Sequence, residues 1–418
     1  MRNFLQLIIL IAFAGFGLGI GYGYISAKQE TSKHYWWPVQ SVDTMKYSRD
    51  SSGEYLTNPK KLQETSQLQV SLVAQAGATH VAISTPYDEQ FYPVLSAWVT
   101  QARLKGLKVW FRGNWSGWEQ WFEYSKINRE EHLQKTQEFI VKHPDLFEDG
   151  DIFTACPECE NGGPGDPRRT GDKQGFQQFL IDEHEMMAKA FAQIDKDVQF
   201  NINSMNGDVA RLIMDKPTTQ ALGGIVAVDH YVSSPEKMKQ DLIELAQLSG
   251  GKIVLGEFGA PIPDINGNLT PQEQADLIDQ FMIKISEVPQ VIGVNYWTGF
   301  GGSTAIWDGD GKPLPAVAIL TSYFTPKTID GFVKDGAGRS ISGATLVSEE
   351  RIVESESNGS FSLPYMKTDQ KIRVTAPNYV GGEVKISDLL EINNPKIMLV
   401  PEKPTFIYKV IIFFQKLF

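Results

Sequence analysis

Between about residues 35 and 324, short runs of β-branched and aromatic residues alternate with longer amphipathic segments. This alternation is typical of a parallel sheet whose strands are joined by crossover helices. The predicted strands are Ser41–Thr44, His80–Ser84, Lys108–Phe111, Asp151–Cys156, Asp197–Ile202, Gly224–Val228, Lys252–Leu255 and Gly293–Trp297. The predicted helices are Pro59–Gln75, Phe91–Lys105, Glu130–His143, Gly175–Gln193, Pro235–Leu248 and Pro271–Glu287. Eight strands predict an α/β fold of the (β/α)8 (TIM) barrel type over residues 31–325.

An open doubly wound sheet is the alternative for the same segment. It is disfavoured because no glycine-rich phosphate-binding loop follows an early strand.

The pattern changes after Thr325-Pro326 to short alternating strands separated by turn signals such as Asn358-Gly359. Strands of this length with turns between them predict a small C-terminal antiparallel β-sandwich over residues 326–400.

Both ends of the chain are apolar. Phe4–Ala27 is an almost uncharged run that is long enough to span a bilayer, so residues 1–30 are predicted to be a transmembrane helix; a cleaved signal segment is the alternative. Either interpretation exports the rest of the chain, and the orientation rule favours a membrane-anchored protein with its barrel extracytoplasmic, at the cell surface. The tail 401–418 is too short to span, and it is either an interfacial helix or a terminal element of the last domain.

Length and charge narrow the function. The 418 residues suit a barrel of about 250 residues with a small module and terminal segments. The formal net charge of −11 argues against nucleic acid as a partner.

Polar and aromatic residues cluster just after the predicted strands, where barrel enzymes place their active sites. The candidates that bind substrate are Arg112, Asn114, Trp115, His230, Tyr231 and Trp297. Two further candidates, Glu158 and Glu257, are carboxylates that follow the fourth and seventh strands. Arg112 has an alternative role as the partner of a structural carboxylate, and His230 has one as a hydrogen-bonded structural histidine.

These motifs, above all Ile253–Gly259 and Tyr296-Trp297, make residues 35–324 resemble the clan of retaining (β/α)8-barrel glycoside hydrolases that contains cellulase-like and mannanase-like enzymes. The resemblance implies Glu158 as acid/base, Glu257 as nucleophile, and His230, Tyr231 and Trp297 as sugar-binding residues. The clan places Asn before its acid/base, whereas Pro157 precedes Glu158 here.

Retaining chemistry requires two carboxyl groups about 5–5.5 Å apart. Glu158 is predicted to stand at that distance from Glu257. Glu160 is the alternative acid, and it is predicted instead to brace the loop Asn161–Gly165 or a neighbouring arginine.

The segment after Pro326 resembles the carboxypeptidase-regulatory-like sandwich domains. The resemblance is carried by Gly331, Val333, Asp335, Gly338, Ile341, Gly343, Ala344, Asn358, Gly359, Phe361, Leu363, Ala376 and Tyr379. It implies an accessory module without catalysis.

Cys156 and Cys159, the only two cysteines, flank Glu158 in a Cys-Pro-Glu-Cys motif. Such a motif can be redox-active, half of a zinc site, or a short disulfide. No second pair completes a zinc shell, so no metal and no organic cofactor is implied.

The resulting hypothesis is a retaining glycoside hydrolase acting on a β-linked polysaccharide or oligosaccharide, attached to the membrane through its N-terminal helix. A glycan-binding protein with an inactivated barrel and a transglycosylase that remodels cell-surface polysaccharide are the alternatives.

Overall fold

The computed structural model describes residues 36–348, 351–366, 369–406 and 408. Eight short parallel strands follow one another from residue 39 to residue 296. They are β1 (Val39–Asp43), β2 (His80–Ile83), β3 (Lys108–Phe111), β4 (Ile152–Phe153), β5 (Ser204–Asn206), β6 (Ile225–Asp229), β7 (Lys252–Phe258) and β8 (Val291–Tyr296).

The eight strands are ordered β4-β3-β2-β1-β8-β7-β6-β5 in one parallel sheet. A parallel bridge between Ile152 of β4 and Gln199, in the chain that leads into β5, joins the two edges. The Gln199 amide donates to the Asp151 carbonyl and the Phe153 amide donates to the Gln199 carbonyl, both at 2.8 Å. The sheet therefore closes on itself, as the predicted (β/α)8 barrel requires.

Helices follow the strands around the sheet. They are α1 (Met45–Ser48), α2 (Ser52–Tyr55), α3 (Pro59–Gln75), α4 (Tyr92–Leu104), α5 (Ser116–Glu119), α6 (Arg129–Lys142), α7 (Pro167–Thr170), α8 (Lys173–Gln193), α9 (Gly207–Ile213), α10 (Lys216–Ala221), α11 (Pro235–Ser249), α12 (Pro263–Asn266), α13 (Pro271–Ser286) and α14 (Pro315–Phe324). Single turns of 3₁₀ helix span Glu89–Phe91, Trp121–Glu123, Pro144–Leu146 and Cys159–Asn161.

The long helices begin where the sequence supplies a cap. Asn58 accepts a hydrogen bond from the Lys61 amide at the start of α3, and Thr270 forms a capping box with Glu273 at the start of α13. Such side chains satisfy backbone amides that have no partner inside the helix. All six predicted helices are confirmed, with ends that shift by two residues or fewer.

Two strands differ most from the prediction. The fifth was expected at Asp197–Ile202, but the regular strand is Ser204–Asn206 and only Gln199 of the predicted range bridges β4. The fourth was expected to reach Cys156, but it ends at Phe153. Both departures lie on the seam where the barrel closes.

The centre of the barrel is filled by apolar side chains from most of its strands. This small apolar cluster consists of Val39, Ala82, Trp110, Ile152, Ile202, Ala227 and Val254. A larger apolar layer lies between the strands and the helices. Strand residues alternate between the two layers because successive side chains of a strand point to opposite faces.

The sandwich consists of two four-stranded sheets. Its strands are β9 (Lys327–Asp335), β10 (Thr345–Ser348), β11 (Arg351–Glu354), β12 (Ser360–Tyr365), β13 (Lys371–Thr375), β14 (Tyr379–Val380), β15 (Gly382–Lys385) and β16 (Lys396–Pro401), and the short helix α15 (Ile386–Leu390) precedes β16. The sheet orders are β11-β10-β13-β15 and β12-β9-β16-β14.

The prediction of a purely antiparallel sandwich is wrong at one pair, because β16 runs parallel to β9. The other pairs within these two sheets are antiparallel.

Across the described residues, no helix is long and apolar enough to cross a membrane. The predicted membrane helix, Phe4–Ala27, lies outside the described residues, as does most of the apolar tail 401–418. The membrane and cell-surface assignments therefore stay predictions.

Candidate active site

Arg112 lies at the centre of a charged cluster at the carboxyl ends of the strands. It directly follows β3, its side chain is fully buried, and its guanidinium lies 5.3 Å from the ring centre of Trp110, two residues earlier on the same face. The Nη2 atom is 3.0 Å from Glu257 Oε1, 3.4 Å from Asp229 Oδ2 and 3.2 Å from the Ser204 hydroxyl.

The Nη1 side of the guanidinium lies near the end of β1. Arg112 Nη1 donates to the Gly256 carbonyl and lies 3.6 Å from Asp43 Oδ2. Asn295 Nδ2 donates to the same Asp43 oxygen at 3.2 Å and to the Gly256 carbonyl at 2.8 Å. Three buried carboxyl groups therefore surround one permanent positive charge.

A bulge in β7 turns Glu257 toward this cluster. Val254 points into the barrel, so strict alternation would send Glu257 outward. In the pairing with β6, however, Leu255 lies opposite Val228 and Glu257 opposite Asp229, which leaves Gly256 as an extra residue. The extra residue reverses the alternation and points Glu257 inward. A side chain at Gly256 would overlap Asp229 and Ser204, so glycine is required there.

Glu257 is 6% exposed and has two strong donors. Arg112 donates to Oε1, and the Tyr231 hydroxyl donates to Oε2 at 2.8 Å. Burial raises the pKa of Glu257 to about 8; Arg112 lowers it, and the negative charge of Glu158 raises it further.

Asp229 shares Arg112 with Glu257 but has weaker support. Burial and the charge of Glu257 raise the pKa of Asp229 well above its usual range. Its Oδ1 atom has no hydrogen-bond partner among the described residues. Glu257 has more donors than Asp229, and these hydrogen bonds favour its ionised form.

An aromatic pair flanks Glu257. Tyr231 and Trp297 meet edge to face with ring centres 5.8 Å apart. Trp297 is only partly buried, its Nε1 lies 3.5 Å from Met45 Sδ, and Lys46 Nζ lies 5.5 Å from its ring centre. The structure therefore brings three predicted residues, Glu257, Tyr231 and Trp297, to one place.

The loop after β4 carries the second predicted carboxylate. Glu158 is half-buried, its backbone is in the left-handed region at φ 48° and ψ 52°, and its amide donates to the Ser204 carbonyl at 2.8 Å. Asn161 Nδ2 donates to Glu158 Oε2 at 2.9 Å. Cys156 and Cys159, on either side, form a disulfide.

Glu160 is turned into the protein instead. It is 4% exposed, and its Oε1 accepts a hydrogen bond from the Asn206 amide at 2.6 Å. Burial raises the pKa of Glu160 to about 7. Its bracing role was predicted toward Asn161–Gly165 or an arginine, but the observed contact is with the end of β5.

Arg112 lies in the charged cluster but has almost no exposed surface, and three other predicted substrate-binding residues lie outside the cluster. Arg112 and Asn114 are at most 1% exposed, and Trp115 packs in the helix layer against Tyr87 and Phe139 with its Nε1 donating to Thr136. These side chains have no face for a ligand. His230 Nε2 lies 2.8 Å from Asp241 Oδ2 of α11, which leaves the ring outside the cluster around Glu257.

The site residues predicted from the sequence did not include Asp43, Asp229 and Glu119. Asp43 and Asp229 are the last residues of β1 and β6, so the rule that sites form at strand ends could have found them. Glu119 comes after β3 on the short helix α5, accepts a hydrogen bond from Asn114 Nδ2 at 2.9 Å, and has its pKa raised to about 7, chiefly by burial and in part by Glu158. No signal in the sequence marks Glu119.

The sequence matches no protein-family model and no curated protein. Solved structures do match. GH5_18 from Streptomyces cattleya in complex with GlcNAc is 14% identical with a TM-score of 0.52, over 69% of this chain and 80% of that chain. This similarity establishes a shared fold.

Two β-glucuronidases are also similar to this chain. The enzyme from Ruminococcus gnavus in complex with D-glucuronic acid is 12% identical, with a TM-score of 0.44 over 62% of this chain and 45% of that chain. The FMN-binding enzyme from Facaelibacterium prausnitzii L2-6 is 10% identical, with a TM-score of 0.45 over 83% of this chain and 54% of that chain. The present chain thus spans about half the length of these β-glucuronidases.

Proposed function

We propose that this protein is a retaining glycoside hydrolase that cleaves β-linked polysaccharide or oligosaccharide. One observation carries the proposal: Glu257, at the inner side of β7, has both carboxylate oxygens held by Arg112 and the Tyr231 hydroxyl, and a second glutamate, Glu158, follows β4 at the same end of the barrel. Cleaving a glycosidic bond through an oxocarbenium-like state calls for two such carboxyl groups.

Glu257 is the nucleophile in this proposal. Arg112 and the Tyr231 hydroxyl hold its two oxygens and support its ionised form. In the first step Oε1 or Oε2 attacks the anomeric carbon, and the glycosidic oxygen leaves with a proton. Water then cleaves the glycosyl ester and restores the carboxylate.

Glu158 is the acid/base. It gives its proton to the leaving oxygen in the first step and takes a proton from the attacking water in the second. Its partial exposure suits this exchange, whereas Glu160 is committed to the Asn206 amide. We propose a separation of about 5–5.5 Å between Glu158 and Glu257, the distance of retaining pairs.

The substrate class follows from the aromatic pair beside Glu257. The partly exposed ring of Trp297, with the Tyr231 edge against it, is suited to stack on the apolar face of a sugar. The solved structures with a similar fold carry glycosidase names, and two contain a sugar, GlcNAc or D-glucuronic acid. Their names make a carbohydrate the first substrate to test.

The proposed location is outside the cytoplasmic membrane, with attachment through Phe4–Ala27. The apolar run at the N-terminus supports it, as does the disulfide between Cys156 and Cys159, since disulfides persist in oxidising compartments. Protease added to intact cells should digest the barrel; a barrel protected until lysis would contradict the orientation.

The decisive experiment for the reaction is a screen of the full chain, purified in detergent, against β-linked polysaccharides and aryl glycosides. Product stereochemistry followed by NMR should show retention. Glu257→Gln should lower kcat by at least about 10⁴-fold, since it removes the nucleophile, and Glu257→Ala should be rescued by azide with inversion.

The matched control is Glu160→Gln beside Glu158→Gln. Loss of acid catalysis should depend on the leaving group for Glu158→Gln and should not for Glu160→Gln. If Glu160→Gln shows the leaving-group dependence, the acid is misassigned. If the wild type binds the polysaccharide without cleaving it, the barrel is a binding protein.

A further inference from the structure

The chain has two cysteines, and they form a disulfide that encloses Pro157 and Glu158. The two sulfurs belong to residues that are 1% and 3% exposed, at the point where β4 leaves the barrel. Asn114 Nδ2 lies 3.8 Å from Cys156 Sγ. The disulfide is therefore built into the wall of the mouth and does not join distant parts of the chain.

Stabilisation of the whole fold does not explain a disulfide at this position. The chain-entropy effect of a disulfide grows with the length of the closed loop. A sequence separation of three is near the shortest that a disulfide can close. The larger consequence is local, on the two residues between the cysteines.

One of those two residues, Glu158, has an unfavourable backbone conformation. Glu158 is in the left-handed region at φ 48°, which is unfavourable for a residue other than glycine, asparagine or aspartate and persists only when its surroundings enforce it. The turn is held at both ends: the Glu158 amide donates to the Ser204 carbonyl at 2.8 Å, and Trp118 Nε1 donates to the Cys159 carbonyl at 3.1 Å.

Trp118 itself is immobilised under this loop. It is fully buried and stacks on Phe179, with ring centres 5.3 Å apart. Gly163 lies against its ring so closely that a side chain there would overlap it. The hydrogen bond from Trp118 therefore fixes the Cys159 end of the loop to the core, and the disulfide transmits that constraint to the Cys156 end.

We propose that the Cys156–Cys159 disulfide is a positioning device that holds Glu158 in place to act opposite Glu257, so that turnover depends on the redox state of this loop. The catalytic part of this inference rests on the proposed function. Reduction by a phosphine takes up two electrons and two protons to give two thiols, while the phosphine and a water oxygen become phosphine oxide. Oxidised glutathione restores the disulfide by thiol–disulfide exchange: it takes up the two electrons and two protons of the thiols and leaves as two molecules of reduced glutathione.

The test uses the full chain in detergent in three forms: oxidised wild type, wild type reduced with tris(carboxyethyl)phosphine, and the double variant Cys156→Ser with Cys159→Ser. Intact mass gives the thiol state. Hydrogen exchange of peptides covering 154–163 reports the loop without any substrate. Both thiol-containing and serine forms should exchange at least about tenfold faster at the Glu158 amide, with the peptides of β7 unchanged.

On a substrate that the wild type hydrolyses, kcat should fall at least tenfold in the reduced and serine forms while KM changes less than threefold. Reoxidation should restore kcat, and the phosphine should not affect the serine variant, which has no other disulfide to lose. A merely structural role would lower the melting temperature and leave kcat of the folded fraction unchanged.

The outcomes separate the two proposals. If the wild type hydrolyses no glycoside but the loop loosens on reduction, the glycosidase assignment fails and the positioning role of the disulfide survives. If loop exchange and kcat are the same in all three forms, or if the protein exported to an oxidising compartment carries two free thiols, the positioning role is overturned.

Discussion

The barrel mouth and the sandwich both bury carboxyl groups, but they support them differently. In the sandwich, Asp335 is fully buried at the end of β9, and its side chain accepts from the Ala337 and Arg339 amides and from Arg339 Nε. In the barrel mouth, Asp43, Asp229 and Glu257 share one arginine. The sandwich carboxylate stabilises its own turn, whereas the barrel carboxyl groups repel one another.

This difference shows that the buried carboxyl groups of the barrel mouth stabilise the fold less than the buried carboxylate of the sandwich. Removing a charge from water costs several kcal/mol, and only good hydrogen-bonding geometry recovers it. The apolar core of the sandwich consists of aliphatic side chains and Phe361. A cluster with too few donors at the mouth of a barrel is the arrangement expected of a site that handles protons.

Among the variants that compare the barrel mouth with the sandwich, the largest effect is expected from Arg112→Gln. Removing the central cation takes away the positive charge that three buried carboxyl groups share, so kcat/KM should fall by at least about 100-fold, roughly 3 kcal/mol. Arg112 lowers the pKa of Glu257, so its loss should raise that pKa further. Because the ionised form of Glu257 attacks, the acidic limb of the pH profile of kcat/KM should move to higher pH.

Arg112→Lys is the control, because it keeps the charge but loses the planar fork. It should lose activity with a smaller shift of the acidic limb. Identical pH profiles for Arg112→Gln and the wild type would show that Arg112 does not govern the ionisation of Glu257.

A second pair of titratable residues, Glu183 and His132, is also buried, but burial keeps both of its members neutral. Glu183 of α8 and His132 of α6 are fully buried with Oε1 3.4 Å from Nδ1. Burial raises the pKa of Glu183 to about 8 and lowers that of His132 to about 3, so both are neutral at pH 7. Neither side chain has a hydrogen-bond partner among the described residues.

The prediction for Glu183→Gln concerns the pH dependence of stability. Between about pH 6.5 and 8 the unfolded chain has lost the Glu183 proton that the folded protein keeps, so the free energy of unfolding falls as pH rises, by up to about 1.4 kcal/mol per pH unit. Below about pH 6.5 the unfolded chain also binds a proton on His132 that the folded protein does not bind, and this opposes the slope. Denaturation at several pH values between about 6.5 and 8 should show a flatter slope for Glu183→Gln. The exposed Glu185→Gln on the same helix should keep the wild-type slope, and equal slopes for all three would contradict the buried-neutral state.

Trp297→Ala tests the exposed side of the mouth. It should raise the transition-state free energy by about 1–3 kcal/mol, the effect of removing one large apolar contact. Trp297→Phe should recover part of it. Unchanged kcat/KM in the alanine variant would assign Trp297 to packing around Met45 and Lys46 alone.

The smallest effect is expected at the sandwich carboxylate. Asp335→Ala removes the acceptor for the turn and should lower stability by about 1–2 kcal/mol, measured by denaturation, with kcat/KM within twofold of the wild type. Asp330→Ala, on an exposed position of the same strand, is the control. A large loss of activity in a folded Asp335→Ala protein would mean that the sandwich takes part in turnover.

Periodicity and caps were enough to predict the helices from the sequence. Pro59–Gln75 has the predicted ends, because Asn58 and Pro59 mark its start and its apolar stripe sets its length. The seam at β4 and β5 could not be predicted in this way. Only two residues of β4 form regular strand, and its partner segment makes a single bridge, so neither has enough residues to show a period.

The sequence predicted which residues follow each strand, but it did not predict the direction in which each side chain points. His230 and Tyr231 are adjacent, so they point to opposite sides: Tyr231 reaches Glu257 and His230 reaches Asp241. The same alternation buries Trp115 in the helix layer. At Glu257 the opposite error would arise, because alternation alone points it outward; Gly256 is the one sequence signal of the bulge that corrects it.

The parallel pairing of β16 with β9 also constrains how the sandwich forms during synthesis. β9 is the first strand of the sandwich to leave the ribosome and lies between β12 and β16, so one of its edges waits for residues 396–401. An unpaired edge is a template for pairing with another chain. The nascent protein therefore carries an unpaired strand edge until residues 396–401 have been made, and removal of β16 would leave that edge exposed in the finished protein.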